Sequence, residues 1–157
     1  MKIIILSFLL FILLICSGFL GLKKRDFFLA NSLSFGGGIV TVDATDCSLE
    51  NSPDKKNRAI TAINRAGASM CTVQFGVVSP AGGTYITVME EPIGIGQVIL
   101  GAGGTTFGGA FLAGAGQSIT ITSDSGKYRA SFNDIKLIDP LTRDMIGKKI
   151  SGNFGCD

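Results

Sequence analysis

The sequence predicts a mainly β chain: an antiparallel β-sandwich, or an open barrel, behind an N-terminal hydrophobic helix. Three observations predict it. Beyond residue 68, apolar residues alternate with polar ones in short runs, as in Cys71, Val73, Phe75 and Val77, or Ile119 and Ile121. Turn-forming clusters separate these runs at Ser79–Gly83, Ser123–Gly126 and Asp139–Thr142. Glycine supplies 22 of the 157 residues, and it has no collagen-like period.

The chain opens with an apolar run from Ile3 to Leu22, broken only by the mildly polar Ser7, Cys16 and Ser17 and ended by Lys23-Lys24-Arg25. Three readings fit. Lys2, the core Ile3–Ile15 and the small residues Cys16-Ser17-Gly18 make a signal peptide cut before Phe19. Cys16 after Leu13-Leu14-Ile15 makes a lipidation candidate, although Ile15 stands where a small residue is normal. An uncleaved anchor is the third, since about 20 apolar residues span a bilayer. Its flanking cations would hold the β domain on the cytoplasmic side. The expected division is therefore 1–22 as signal peptide or membrane anchor, 23–37 as linker or first strand region, and 38–157 as a single β-sandwich domain. The expected location is exported, in the cell envelope or outside the cell.

The next segment is ambiguous. Ser52 as N-cap, Pro53 at the first helical position, Asp54 in the first turn and Gly67 past the end describe one short helix near 53–66. Ile60-Thr61-Ala62-Ile63-Asn64 reads equally as a short strand. Further on, nine of the 23 residues from 94 to 116 are glycine, interrupted by Phe107, Phe111 and Leu112. That reads as strands and tight turns. No Gly-Lys-Ser/Thr triplet completes a phosphate loop there.

Two later strands are legible in detail. Tyr128, Ala130 and Phe132 share one parity, whereas Ile135 and Leu137 share the other. The slip at Asn133-Asp134 predicts a bulge. At the end, Ile150, Phe154 and Cys156 share a parity, with Lys149, Ser151 and Asn153 facing out.

Composition limits function. Past Lys2 the chain carries thirteen Lys/Arg against twelve Asp/Glu, and after residue 25 the basic cluster to note is the short Lys55-Lys56-Asn57-Arg58 group. Nucleic acid is not an expected partner. No histidine occurs, which removes Ser-His-Asp and Cys-His nucleophiles and His-ligated metals. No catalytic residue and no cofactor is expected. Glu90 and Glu91 are adjacent, so in a strand they point apart. Asp139 and Asp144 bracket a turn. Asp43, Asp46 and Glu50 form a weak calcium set without the spacing or glycine of an EF-hand.

With Cys16 in the leader, Cys47, Cys71 and Cys156 remain. An odd number leaves one thiol over. Cys71 and Cys156 both fall on core faces and form the favoured disulfide; Cys47–Cys71 is the runner-up. Three reduced, buried thiols are the remaining reading.

Several segments carry a resemblance: Gly83-Thr84-Tyr85-Ile86, Ile119-Thr120-Ile121-Thr122, Gly126-Lys127-Tyr128-Arg129-Ala130-Ser131-Phe132 and Lys149-Ile150-Ser151-Gly152-Asn153-Phe154. Together they resemble small exported β-rich lipoproteins of the Bacteroidetes, grouped in families of unknown function. The resemblance spans residues 59–156. It implies an envelope location, a sandwich and a strand at Ile60–Ile63, and no activity.

The expectation is a non-enzymatic exported or membrane-tethered β-sandwich acting as a binding or surface module. Tyr85, Phe107 and Phe111 would then be partly exposed contacts, against core packing, which is commoner for Phe in alternating strands. Expected partners are the membrane through the N-terminal segment, a protein or glycan, or further copies of the chain. The alternative is a small structural subunit of an envelope assembly or extracellular filament joined by strand-edge pairing. An enzyme of carboxylate chemistry comes third.

Overall fold

The computed structural model describes residues 31–45, 58–64, 68–76 and 82–156. The hydrophobic run, Cys16, Asp46, Cys47, Glu50 and residues 53–57 of the expected helix lie outside them. The described residues form ten strands and no helix. The strands are β1 (Ser32–Phe35), β2 (Gly38–Thr45), β3 (Arg58–Asn64), β4 (Ser69–Phe75), β5 (Gly83–Thr87), β6 (Gln97–Gly104), β7 (Gly109–Ala113), β8 (Ser118–Asp124), β9 (Lys127–Ile138) and β10 (Met145–Gly155). Residues 58–64 are therefore strand, not helix. Strand pairing supplies partners on both sides here, where an isolated short helix would have only its own marginal propensity.

The mainly β expectation holds, with a difference in the sheet. All ten strands belong to one mixed sheet, whose pairings run from β10 through β1, β2, β3, β4, β6, β5 and β8 to β9, and β9 pairs β10 again. The hydrogen-bonded circuit is thus closed where separate facing sheets, or an open barrel, were expected. Every pairing is antiparallel except β5 with β6, which join in parallel over Ile86↔Gln97 and Thr87↔Val98. β7 fits beside them: it pairs β6 over residues 101–104 and β9 over residues 137–138. One face of β6 thus meets β5 low down and β7 higher up. Across the interior, β3 comes within 8 Å of β9 and β10, measured between Cα atoms. The walls face each other as in a sandwich although the sheet is continuous.

Alternation fills the interior. Cys71, Val73 and Phe75 of β4, Ile119 and Ile121 of β8, and Tyr128, Ala130 and Phe132 of β9 all point inward into one cluster. Three T-shaped aromatic pairs lie along it: Phe75–Tyr85 at 5.2 Å, Phe132–Phe154 at 6.0 Å and Phe35–Phe107 at 5.0 Å between ring centroids. Edge-to-face geometry aligns the positive ring edge with the negative face. The void beside Leu33, Val42 and Phe107 is about 10 Å³. That is near the minimum for one water molecule, so at that point the barrel is solid.

Turn chemistry sets the register. Gly36 (φ 57°) and Gly37 (φ 89°) form the two-residue loop between β1 and β2, and Ser125 (φ 52°) and Gly126 (φ 80°) do the same between β8 and β9. Both loops need positive φ at both positions, the type I′ requirement. The bulge read at Asn133-Asp134 is present. Between Ile150↔Ile135 and Gly152↔Phe132, β9 carries one more residue than β10. Asp134 takes φ 53°, and its N–H donates to Ser151 Oγ at 2.8 Å. Ser151 Oγ in turn donates to Asn133 Oδ1 at 3.0 Å. The hydroxyl supplies the partner that the bulge removes from the ladder.

Candidate functional site

The chain enters and leaves the fold at one end. Gly155 N–H donates to Asn31 Oδ1 at 3.0 Å. Arg129 Nη1 donates to Asn31 Oδ1 and to Asn153 Oδ1, each at 3.3 Å. Val42 N–H donates to Asn31 O at 2.9 Å. From this clamp, β1 and β10 lead toward the opposite end. Gly147 lies about 25 Å from Gly155 along β10, at about 3.3 Å per residue.

At the far end is a half-open groove of about 410 Å³. Its walls include Ser34 and the Gly36-Gly37 turn on one side, with Asp134, Lys148 and Lys149 on the other. The sequence folds this way because β10 also bulges: Met145↔Ile138 is followed by Lys149↔Lys136, so β10 holds two extra residues there. Gly147, at φ 68°, makes that bend. The bulge turns Lys148 back over the barrel mouth. Its Nζ lies 5.2 Å from the centroid of Phe35 and 5.5 Å from that of Phe111. Those rings stack at 6.4 Å and 21°. Phe107 closes the mouth beneath them, edge-on to Phe35.

The three aromatic residues expected as contacts separate. Tyr85 is 4% exposed and Phe107 3%, so both follow the core-packing reading and neither is a contact. Tyr85 points inward by strand parity, and Phe107 folds in from the β6–β7 turn. Phe111 is half-buried beneath Lys148. The groove lysines were missed in the sequence because neither a bulge in β10 nor the pairing of β9 with β10 is visible in a linear pattern. The signal available was Gly147 beside Lys148-Lys149.

The acidic candidates do not converge. Glu90 Oε1 accepts from Arg143 Nη2 at 2.6 Å, whereas Glu91 Oε1 accepts from Gln74 Nε2 at 3.2 Å. They diverge as expected, although the strand has already ended at Thr87. Asp139 Oδ1 accepts from the N–H groups of Leu141 and Thr142 at 2.7 and 3.1 Å, an Asx turn. Asp43 is exposed on β2. Among the described residues no three His, Cys, Asp or Glu side chains gather as metal ligands.

Both expected pairings, Cys71–Cys156 from parity and the runner-up Cys47–Cys71, are corrected. Cys71 is a free thiol, fully buried. It stands mid-strand between Ala62 of β3 and Ala102 of β6, small neighbours that leave room for its sulfur and offer no second cysteine. Burial pushes its thiol pKa far up from the ordinary value of 9.0. Cys156 is disulfide-bonded. Since Cys71 is free, the partner of Cys156 lies outside the described residues.

A second cleft, about 200 Å³, lies at the clamp end beside Thr122, Lys127, Arg129 and Cys156. It is the smaller of the two and adjoins the point where the chain emerges. Comparison with protein-family models, with curated proteins and with solved structures finds no match.

Proposed function

We propose that this chain is a non-enzymatic, exported or membrane-tethered binding module of the cell envelope, working through the groove at Lys148. The observation that carries the reading is the Gly155–Asn31 bond. It holds Asn31 and Gly155, the two ends of the described fold, at one pole, and a tether leading from that pole would present the opposite one, with its groove, outward. The apolar run Ile3–Leu22 supplies the tether or the export signal.

Two further observations support it. The closed circuit of strands leaves no terminal strand in the described sheet, which suits a rigid carrier of loops. A disulfide at Cys156 suits an oxidising compartment. Ala44 O lies 3.7 Å from Cys156 Sγ, and Cys47 follows three residues later, so Cys47 is the proposed partner.

The subunit reading keeps one support. Gly38–Thr41 of β2 pairs β1 only, while the pairing of β2 with β3 begins at Val42, and Ile39 is 67% exposed on that stretch. Such an edge accepts an added strand. Intact mass and size-exclusion chromatography separate the readings. A monomer lacking the first 18 residues, or lacking 15 and carrying an acyl group on Cys16, fits the module. Ladders or polymers fit the subunit. An unprocessed chain with its β domain in the cytosol overturns the export reading. Peptide mapping without reductant should return a Cys47–Cys156 link.

A further inference from the structure

We propose that the groove at Lys148 takes an acidic sugar, a saccharide bearing a carboxylate or sulfate. The inference rests on the binding-module reading and names its ligand class.

The first observation is a charge conflict. Lys136 of β9 and Lys149 of β10 stand directly opposite one another, both exposed on the outer face. Like charges so placed destabilise a sheet. Asp134 is the only carboxylate lining the groove, and it reaches Lys149 at 3.9 Å, beyond hydrogen-bond length. Lys148 adds a third cation. Of the residues that line the groove, two lysines, Lys148 and Lys149, stand against the one carboxylate of Asp134, a local positive excess that an oxyanion would relieve.

The second observation is placement. Lys148 rests over two stacked rings, which fix its ammonium without neutralising it. The Phe35 and Phe111 faces hold it from below.

The third is access and size. Around Gly36, Gly37 and Gly147 nothing lies within 4 Å of where a Cβ would stand. A ligand can approach that backbone closely. The volume of about 410 Å³ falls in the range of small-ligand pockets and admits a sugar unit or two. Ser34 and Asp134 offer partners for ring hydroxyls. Ser151 does not, since its hydroxyl is committed to the β9 bulge.

The test titrates the full chain with a glucuronate oligosaccharide, its neutral glucose counterpart, inorganic sulfate, and phosphatidylglycerol vesicles. Backbone amide shifts of Gly36, Gly37 and Gly147 and the dissociation constant are read. The acidic oligosaccharide should shift those amides and bind less tightly as salt rises. Lys148→Gln and Lys149→Gln should each weaken it about tenfold or more, as loss of a charge-assisted contact does. Lys127→Gln, at the clamp end, should not, and melting temperatures should show that each variant folds. Equal binding of the neutral oligosaccharide at these amides keeps the module but removes the oxyanion. Sulfate binding as tightly as the sugar means an adventitious ion only and overturns the ligand class. Binding by vesicles alone assigns the site to anionic lipid and also overturns it. Silence of these amides with every probe sinks the proposal, while the mass and chromatography results on export stand independently.

Discussion

Gln117 stands in for a strand beside Lys136. Its Oε1 accepts the Lys136 N–H at 2.7 Å, and its Nε2 donates to the Lys136 carbonyl at 2.9 Å. This is the two-bond exchange of an antiparallel pair, made by a side chain. It falls where β9 needs it, between the stretch paired to β8 and the two residues paired to β7. Gln117→Ala would leave the Lys136 N–H without this acceptor, while the Lys136 carbonyl keeps the Gly114 N–H at 3.0 Å. It should cost about 1–2 kcal/mol in denaturant unfolding, and the Lys136 amide should exchange faster. Gln117→Glu should also destabilise, since a carboxylate can accept the N–H but cannot donate to the carbonyl. Unchanged exchange at Lys136 in Gln117→Ala would remove the stand-in role.

Thr87 acts on the same turn from inside. Its side chain is completely buried, donates to Gly114 O at 2.6 Å and accepts from Gln117 N–H at 2.9 Å. Gln117 Nε2 also donates to Gly114 O, at 2.9 Å. Thr87→Val keeps the shape and loses the hydroxyl, at an expected cost of about 1–3 kcal/mol. The two side chains share one acceptor, so either single variant leaves Gly114 O with a donor and the double variant leaves it with none. The double variant should lose at least about 0.5 kcal/mol more than the sum of the singles. Strict additivity would show that Gly114 O does not link them.

The elements were legible where side chains alternate on their own strand. The Ile119–Ile121 and Cys71–Phe75 faces, the turn at Ser125-Gly126 and the Asn133-Asp134 bulge all follow from local sequence. What was not legible depends on which strand neighbours which. Closing β9 onto β10 joins segments whose pairing has no local signature, and the parallel contact of β5 with β6 depends on a crossover through residues 88–96. The groove was illegible for the same reason: Lys136 and Lys149 are thirteen residues apart in sequence and opposite in space only through that register. Cys71 was misjudged because inward parity was taken as a sign of bonding, when it reports burial alone.

Glycines divide by what surrounds them, and two substitutions test it. A Cβ on Gly152 would stand 2.6 Å from Leu33 Cδ2 and 2.8 Å from Phe132 Cζ, inside the core. Gly152→Ala should destabilise by about 1–3 kcal/mol, the usual cost of overpacking. Gly83, at the exposed start of β5, has nothing within 4 Å and an ordinary φ. Gly83→Ala should be neutral or gain a few tenths of a kcal/mol, because alanine restricts the unfolded chain. Equal melting temperatures for the two variants would mean that the interior at Gly152 is loose.

Cys71 makes stability fall at alkaline pH. Its thiol is buried without a charge partner, so the folded protein holds the proton well above the ordinary value of 9.0. The unfolded chain releases it near that value. Above it the unfolded state binds fewer protons than the folded one, so the unfolding free energy decreases as pH rises. The contribution is fully present below pH 9.0 and declines beyond it. Relative to Cys71→Ala, the wild-type protein should lose about 1.4 kcal/mol per pH unit once the unfolded thiol is ionised. Cys71→Ala itself should cost about 1 kcal/mol at neutral pH, through a small cavity between Ala62 and Ala102. The native thiol should also resist alkylation until the protein unfolds, since the thiolate is the reactive form. Rapid labelling of folded protein at pH 8, or parallel pH profiles for wild type and variant, would show that Cys71 is reached by solvent.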